Sequence, residues 1–269
     1  IEVQMVLSAM RELDKNSVSA VWGCRERLSV PNAALVNGTS VHGSEQDGGC
    51  GAVHASAVII PACLSVGELY HTSGKEFLMA VISGYEVMVR ISAGAKHEDQ
   101  YKKGWHPTAT CGTFGAAAAT GRLIGLDEVS MMSALGLAGT YTGGLLAFLM
   151  DGSMSKRLHP GRAAQCGIES AFLAKEGFKG PKYILDADHG GFYNTYVPSA
   201  FDISVVTKGL CSDFAILNST FKLYASCRGA HTPIMAALKI KNEKGLSLED
   251  VERITVRLPE ASYRLTKGK

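Results

Sequence analysis

The order of hydrophobic and polar positions predicts helices over most of this chain. From Gly51 onwards, long apolar stretches lack the alternation of a strand, and several are apolar on nearly every face, as in helices inside a bundle. The predicted helices cover residues 52–70, 74–94, 107–124, 129–150 and 161–175. The fold class is therefore predicted to be mainly α, with a large all-helical domain of packed αα-hairpins.

Local signals at the helix ends support this prediction. Ser73 and Glu76 have the spacing of a capping box, in which each residue satisfies a free amide of the first helical turn. Gly125 is suited to end one helix, and Asp127 is suited to cap the next. Connections this short predict antiparallel helix pairs.

The pattern changes after about residue 205. Ile254, Val256 and Leu258 alternate with polar residues, as in a short strand. Because a single strand cannot bury itself, we expect a second, α+β domain to begin here and to be incomplete.

Composition and charge narrow the function. Apolar residues make up 46% of the chain and charged residues 19%, the balance of an ordered globular protein. The net charge of +2 gives no broad field for nucleic acid or an anionic membrane, and no apolar run is long enough to predict a membrane span. Seven scattered cysteines without a CxxC pair predict a reducing compartment, hence a cytoplasmic location, or the mitochondrial matrix in a eukaryote.

The first candidate for chemistry is the glycine-rich segment from His42 to His54, which also holds Glu45 and Asp47. Glycine lets a backbone approach a ligand closely, while imidazoles and carboxylates supply proton donors and acceptors. Two alternatives are a solvated surface loop and a divalent metal site. The apolar flanks argue against the loop, and no HxxxH or HExxH pair supports the metal, so we favour acid–base use.

A second candidate is His106, which directly precedes Pro107. Proline suits the first turn of a helix, so the imidazole is predicted at a helix N-terminus. The free amides and dipole there favour an anion and a neutral imidazole, which suits a general base. A capping or core histidine is the equal alternative. Lys103, nearby, belongs to a short basic group that fits a small anion.

A third candidate combines Lys156, Arg157 and His159 at the start of an alanine-rich helix. Lysine offers a point charge and arginine a fork that suits a carboxylate. A solvated turn is the alternative, but the small residues that follow indicate tight packing. Lys222 lies in a last segment, where spacing alone would equally fit a surface charge.

Four longer stretches closely resemble the MmgE/PrpD family: NGTSVH…VHAS, GWHPTATCGTFGAAAATGRLIGLD, SKRLHPGRAAQCGIESAFLAKEGFKGP and FKLYASCRGAHTPIMAAL. The resemblance runs over nearly the whole chain. It implies an N-terminally incomplete helical domain over residues 1–215, the beginning of an α+β lid over residues 216–269, and a homodimer. It also implies action on a small di- or tricarboxylate without a metal or organic cofactor.

The resemblance assigns roles to individual residues. His54, His106 and Lys156 match active-site positions of the family, and Lys222 matches its lid lysine. We expect the lysines to bind substrate carboxylates while a histidine removes a proton alpha to one of them. The predicted catalytic residues are His106, His54, Lys156, Glu45 and Asp47, and the predicted substrate-binding residues are Lys222, Arg157, Lys103 and His159.

The acidic stretch departs from the family's pattern H-x-x-D-x-D-D. Glu45 replaces the first aspartate, Asp47 keeps the second, and Gly48 removes the third. The leading expectation is a hydro-lyase like 2-methylcitrate dehydratase, with cis-aconitate decarboxylase-like or iminodisuccinate epimerase-like activity as alternatives. Rivals from other classes are a non-catalytic helical homologue and, less favoured, a metal-dependent hydrolase.

Overall fold

A computed structural model describes residues 1–15, 17–197 and 201–267. The α-helices in these ranges are α1 (Glu2–Leu13), α2 (Val30–Gly43), α3 (Ala55–Tyr70), α4 (Gly74–Gly94), α5 (His97–Lys102), α6 (Pro107–Leu123), α7 (Glu128–Thr140), α8 (Ser155–Lys175), α9 (Phe192–Tyr196), α10 (Ser204–Thr207), α11 (His231–Lys244) and α12 (Glu260–Thr266). The strands form two antiparallel pairs, β1 (Ser19–Ala20) with β2 (Arg27–Leu28) and β3 (Gly49–Cys50) with β4 (Ser219–Thr220). The prediction of a mainly α fold is confirmed.

α6 lies at the centre of the helical core. Its residues from Pro107 to Gly121 are all buried, and most of them are alanine, glycine or threonine. Such small side chains let α3, α4, α7 and α8 pack directly against it. Phe114 is the one large side chain in this run, and its ring meets Phe192 edge to face.

α2 and α8 cross at a pair of glycines. A Cβ atom at Gly161 would lie 2.1 Å from the carbonyl oxygen of Leu35, and one at Gly38 would lie 2.6 Å from Cα of Gly161. Only glycine permits this approach. The crossing brings the C-terminal end of α2 beside the first turns of α8, where His42 and Lys156 are found.

The predicted helix ends are partly right. Ser73 and Glu76 form the expected capping box, and Asp127 accepts a hydrogen bond from the amide of Ser130. The helix predicted over 129–150 instead ends at Thr140, and the chain then passes through Gly144, whose φ is 112°.

One other helix start was predicted too late, and two helices were not predicted. α8 starts at Ser155 rather than Gly161, with Pro160 inside the helix, where it removes only one backbone hydrogen bond. α1 and α2 precede the first predicted helix altogether. Their apolar stretches are short or mixed with polar residues, so the pattern was weak.

The strand predicted at 254–258 is also absent from the described chain. Ile254 and Val256 are 68% and 51% exposed, and no described segment pairs with them. A strand needs a neighbour to satisfy its amides, and the described ranges supply none here. β4 is the strand of this region, and it pairs with β3 of the preceding helical part.

α4 is by length and composition apolar enough to cross a membrane. Half of its most apolar window is buried within the fold, however, and α4 packs against α6 and α3. A core helix passes the same test, so this feature is weak support for a span.

Candidate active site

A cluster of titratable side chains lies where the ends of α2, α3, α6 and α8 meet the segment after β4. This histidine–lysine cluster consists of His42, Glu45, Asp47, His54, His106, Lys156, His159 and Lys222. It unites seven of the nine predicted site residues.

Asp47 joins the first two histidines. Its buried Oδ2 accepts a hydrogen bond from Nδ1 of His42 at 2.8 Å, and Nδ1 of His54 lies 2.9 Å from the same oxygen, although off the direction of a hydrogen bond. Burial opposes ionisation of Asp47, but the two imidazoles outweigh it and hold the pKa of this carboxyl well below its usual range. With Asp47 ionised, the hydrogen bond places the proton of His42 on Nδ1 and leaves Nε2 of that ring as the acceptor.

The local sequence explains these positions. His42 lies in the last turn of α2, and His54 is the N-cap residue of α3, with its amide bonded to Oγ1 of Thr108. The glycine-rich loop between them carries Asp47 back between the two rings. His42 is buried, and burial lowers its pKa. His54 is partly open, with 20% of its side chain exposed.

His106 and His159 form the second pair of imidazoles. Their Nδ1 atoms lie 3.0 Å apart, so one ring donates a hydrogen bond to the other. His106 is the buried N-cap residue of α6, as predicted, and burial together with nearby cationic groups lowers its pKa well below the usual value. Burial also lowers the pKa of His159 to about 4. The aromatic ring of Phe148 makes edge-to-face contacts with the imidazoles of His106 and His159.

Two lysines bring positive charge to the cluster. Nζ of Lys156, in the first turn of α8, donates to Oε1 of Glu45 at 2.5 Å. Nζ of Lys222 donates to the backbone oxygen of Glu45 at 2.8 Å and lies 3.7 Å from Oδ1 of Asp47. Only 1% of the Lys222 side chain is exposed, so its charge is held in the interior.

The β3–β4 pairing explains how Lys222 arrives. Thr220 of β4 pairs with Gly49 of β3, and Lys222 follows two residues later. β3 itself comes directly after the acidic loop, so the pairing sets the lysine against Glu45 and Asp47.

A cavity of about 310 Å³ opens at the edge of the cluster. Glu45 and Lys156 line it together with Phe148. The volume suits a small molecule, since ligand pockets begin at about 300 Å³.

Two predicted residues stand apart from the cluster. Arg157 lines the cavity, but its guanidinium pairs with Glu2 at 2.6 Å. Lys103 is exposed at the end of α5, and within the described ranges its side chain contacts no member of the cluster. Conversely, His42 was not among the predicted site residues. It opens the H-x-x-D motif, and that position was the available signal.

His42, Asp47 and His54 also have the geometry of a metal site, since their ligand atoms lie within 4.8 Å of one another. Two imidazoles and a carboxylate are a donor set that suits zinc. These three residues come from separate segments of the chain. The absence of an HExxH pair, which tests only for ligands on one helix, was therefore not a sufficient reason to disfavour a metal. The ammonium of Lys222, 3.7 Å from Asp47, is the stronger reason, because it repels a cation there.

Residues 2–203 match the MmgE/PrpD N-terminal domain, and the chain belongs to the MmgE/PrpD family. Among its relatives is the cis-aconitate decarboxylase of Homo sapiens, which is 32% identical over 92% of this chain and 53% of its own length. The cis-aconitate decarboxylase of Aspergillus terreus is 29% identical over 90% of this chain and 53% of its own length. A cis-aconitate decarboxylase-like protein of Aspergillus oryzae is 29% identical over 97% of this chain and 58% of its own. The chain thus spans little more than half the length of these relatives.

Proposed function

We propose that this protein is a lyase that acts on a small polycarboxylate without a cofactor, and that decarboxylation of a cis-aconitate-like acid is its reaction. The observation that carries the proposal is the set of buried and partly buried imidazoles beside two partly or fully buried ammonium groups at the edge of a small cavity. The names of the three relatives favour decarboxylation over the dehydration that the sequence first suggested.

The lysines supply the binding energy in this proposal. Lys156 lines the cavity and binds one substrate carboxylate, while the buried ammonium of Lys222 adds positive charge. An ammonium in the interior is less screened than one in water, so it stabilises negative charge that develops on the substrate.

The imidazoles move the proton. In a decarboxylation the bond between a carbon and its carboxylate breaks, carbon dioxide leaves, and the electron pair passes into the adjoining double bond and carboxylate. One carbon then takes a proton, and we assign His106 as the donor, with His159 holding its ring by a hydrogen bond. Without a bound substrate, the pKa of His106 is lowered. An anionic substrate opposes that shift because it stabilises the protonated imidazole.

A panel of substrates tests the reaction class. The full chain is incubated with cis-aconitate, 2-methylcitrate and iminodisuccinate, and products are followed by proton NMR. Loss of one carboxylate from cis-aconitate, with new alkene proton signals, supports the proposal. Dehydration of 2-methylcitrate or epimerisation of iminodisuccinate would instead identify one of those as the reaction, since both also develop negative charge on a carbon next to a carboxylate. Inactivity on all three would defeat it.

Three further expectations from the sequence remain predictions. One is the homodimer, which light scattering coupled to size-exclusion chromatography measures directly. Another is the cytoplasmic or mitochondrial location, which rests on the scattered cysteines. The two-domain division at residue 215 also stays a prediction.

A further inference from the structure

Glu45 occupies the position in the cluster where a bound carboxylate would be expected. Its Oε1 lies 2.5 Å from Nζ of Lys156, and its Oε2 lies 3.5 Å from Nζ of Lys222. A single carboxylate thus lies between both ammonium groups, in the geometry that a polycarboxylate ligand would need.

The charges of this arrangement cancel. Lys156 and Lys222 bring two positive charges, and Glu45 and Asp47 bring two negative ones. Burial opposes ionisation of Glu45, but the hydrogen bond and charge of Lys156 outweigh it, so the pKa of Glu45 is lowered and the side chain is ionised. The four side chains together therefore offer a polyanion no net attraction while Glu45 stays in place.

Glu45 also lies at the entrance to the cluster. Glu45 and Lys156 line the cavity, whereas His42 and His106 are buried and do not line it. A ligand that enters the cavity therefore meets the Glu45–Lys156 ion pair before it reaches the inner imidazoles.

The backbone of Glu45 favours its release. Its φ angle is 54°, in the left-handed region that residues with a side chain seldom adopt. Holding glutamate there costs about 1 kcal/mol or more, and contacts with the lysines offset that cost. Once Lys156 has another carboxylate partner, one of these contacts is gone and the Glu45 side chain can turn towards solvent.

We propose that Glu45 is a carboxylate gate: it occupies Lys156 in the free protein, and a carboxylate of the substrate replaces it there. The exchange leaves Lys156 with one carboxylate partner throughout, so no buried charge is left alone. Glu45 thereby sets the affinity for polycarboxylates and selects ligands that can displace it. This inference rests on the proposed polycarboxylate substrate.

Calorimetric titration with tricarballylate, a saturated tricarboxylate, tests the gate without turnover. Glu45→Gln removes the competing charge, so tricarballylate should bind about tenfold or more tightly than to the wild type. Glu2→Gln is the matched control, because Glu2 neutralises Arg157, another cation of the same cavity. A change of at most about twofold in that variant shows that the gain is specific to Lys156.

The outcomes separate the gate from the proposed function. If the wild type binds tricarballylate and Glu45→Gln binds it with equal or lower affinity, the gate is overturned and the lyase proposal stands. No binding to any variant overturns both. Should Glu45→Gln fold poorly, Glu45→Gly also removes the carboxylate and suits the positive φ, and its binding must be tighter in the same way.

Discussion

Acid should destabilise this protein through His159. Burial, with the charges of His42 and Lys156, lowers the pKa of His159 from 6.5 to about 4 in the folded protein. In the unfolded chain the ring takes up a proton near pH 6.5, whereas in the fold it stays neutral until about pH 4. The free energy of unfolding is therefore unaffected by this ring above about pH 7 and falls as the pH is lowered through the window between the two values.

The size of the loss follows from that difference in pKa. At about 1.4 kcal/mol for each pH unit, His159 alone should remove at most about 2 kcal/mol between about pH 7 and about pH 5. His42 and His106 also have lowered pKa values, so they add to the loss in the same direction. Glu45 and Asp47 contribute mainly at lower pH, because their ordinary pKa values are 4.5 and 3.8.

Urea unfolding followed by tryptophan fluorescence measures this loss, because Trp105 packs against Tyr196 in the fold. His159→Asn should weaken the pH dependence by about 2 kcal/mol over the same range. His71→Asn is the matched control, since His71 is exposed and its left-handed backbone suits asparagine. An unchanged pH dependence in His159→Asn would refute the assignment, as would an equal effect of His71→Asn.

Two further substitutions test the geometry around the site. Gly161→Ala forces a Cβ atom against the carbonyl of Leu35 and should cost about 3 kcal/mol in thermal unfolding, while Gly74→Ala, which meets no atom, should be harmless. Equal stability of the two variants would contradict the close helix crossing. Lys222→Met should weaken tricarballylate binding in calorimetry by about hundredfold, whereas exposed Lys239→Met should leave it unchanged. If Lys222→Met still binds tricarballylate as the wild type does, the charge of Lys222 does not contribute to binding the ligand.

The sequence was informative where structure is local. Apolar stretches and caps such as Asp127 identified most core helices, because these signals act within one or two turns. The start of α8 was missed because Pro160 argues locally against a helix, and packing of α8 against α2 and α6 overrides it. The predicted strand at 254–258 failed for the opposite reason, since its pattern has no partner in the described chain.

The cluster was only half predictable. Sequence motifs identified His54, His106 and Lys156 as active-site residues. Their spacing along the chain, however, does not show which of their atoms come into contact. The contact between His106 and His159 spans 53 residues, and the contact between Lys222 and Glu45 spans 177. Such contacts depend on the whole fold. The substitution at Glu45 was visible in the sequence, but its pairing with both lysines was not.

The central claim is that the buried imidazoles transfer protons to or from a polycarboxylate. Turnover of cis-aconitate by the full chain, followed by proton NMR in heavy water, tests it most directly when wild type is compared with His106→Gln. We expect His106→Gln to lower kcat by about a thousandfold while tricarballylate still binds within about threefold of the wild type. Turnover by the wild type that persists undiminished in His106→Gln would contradict the account.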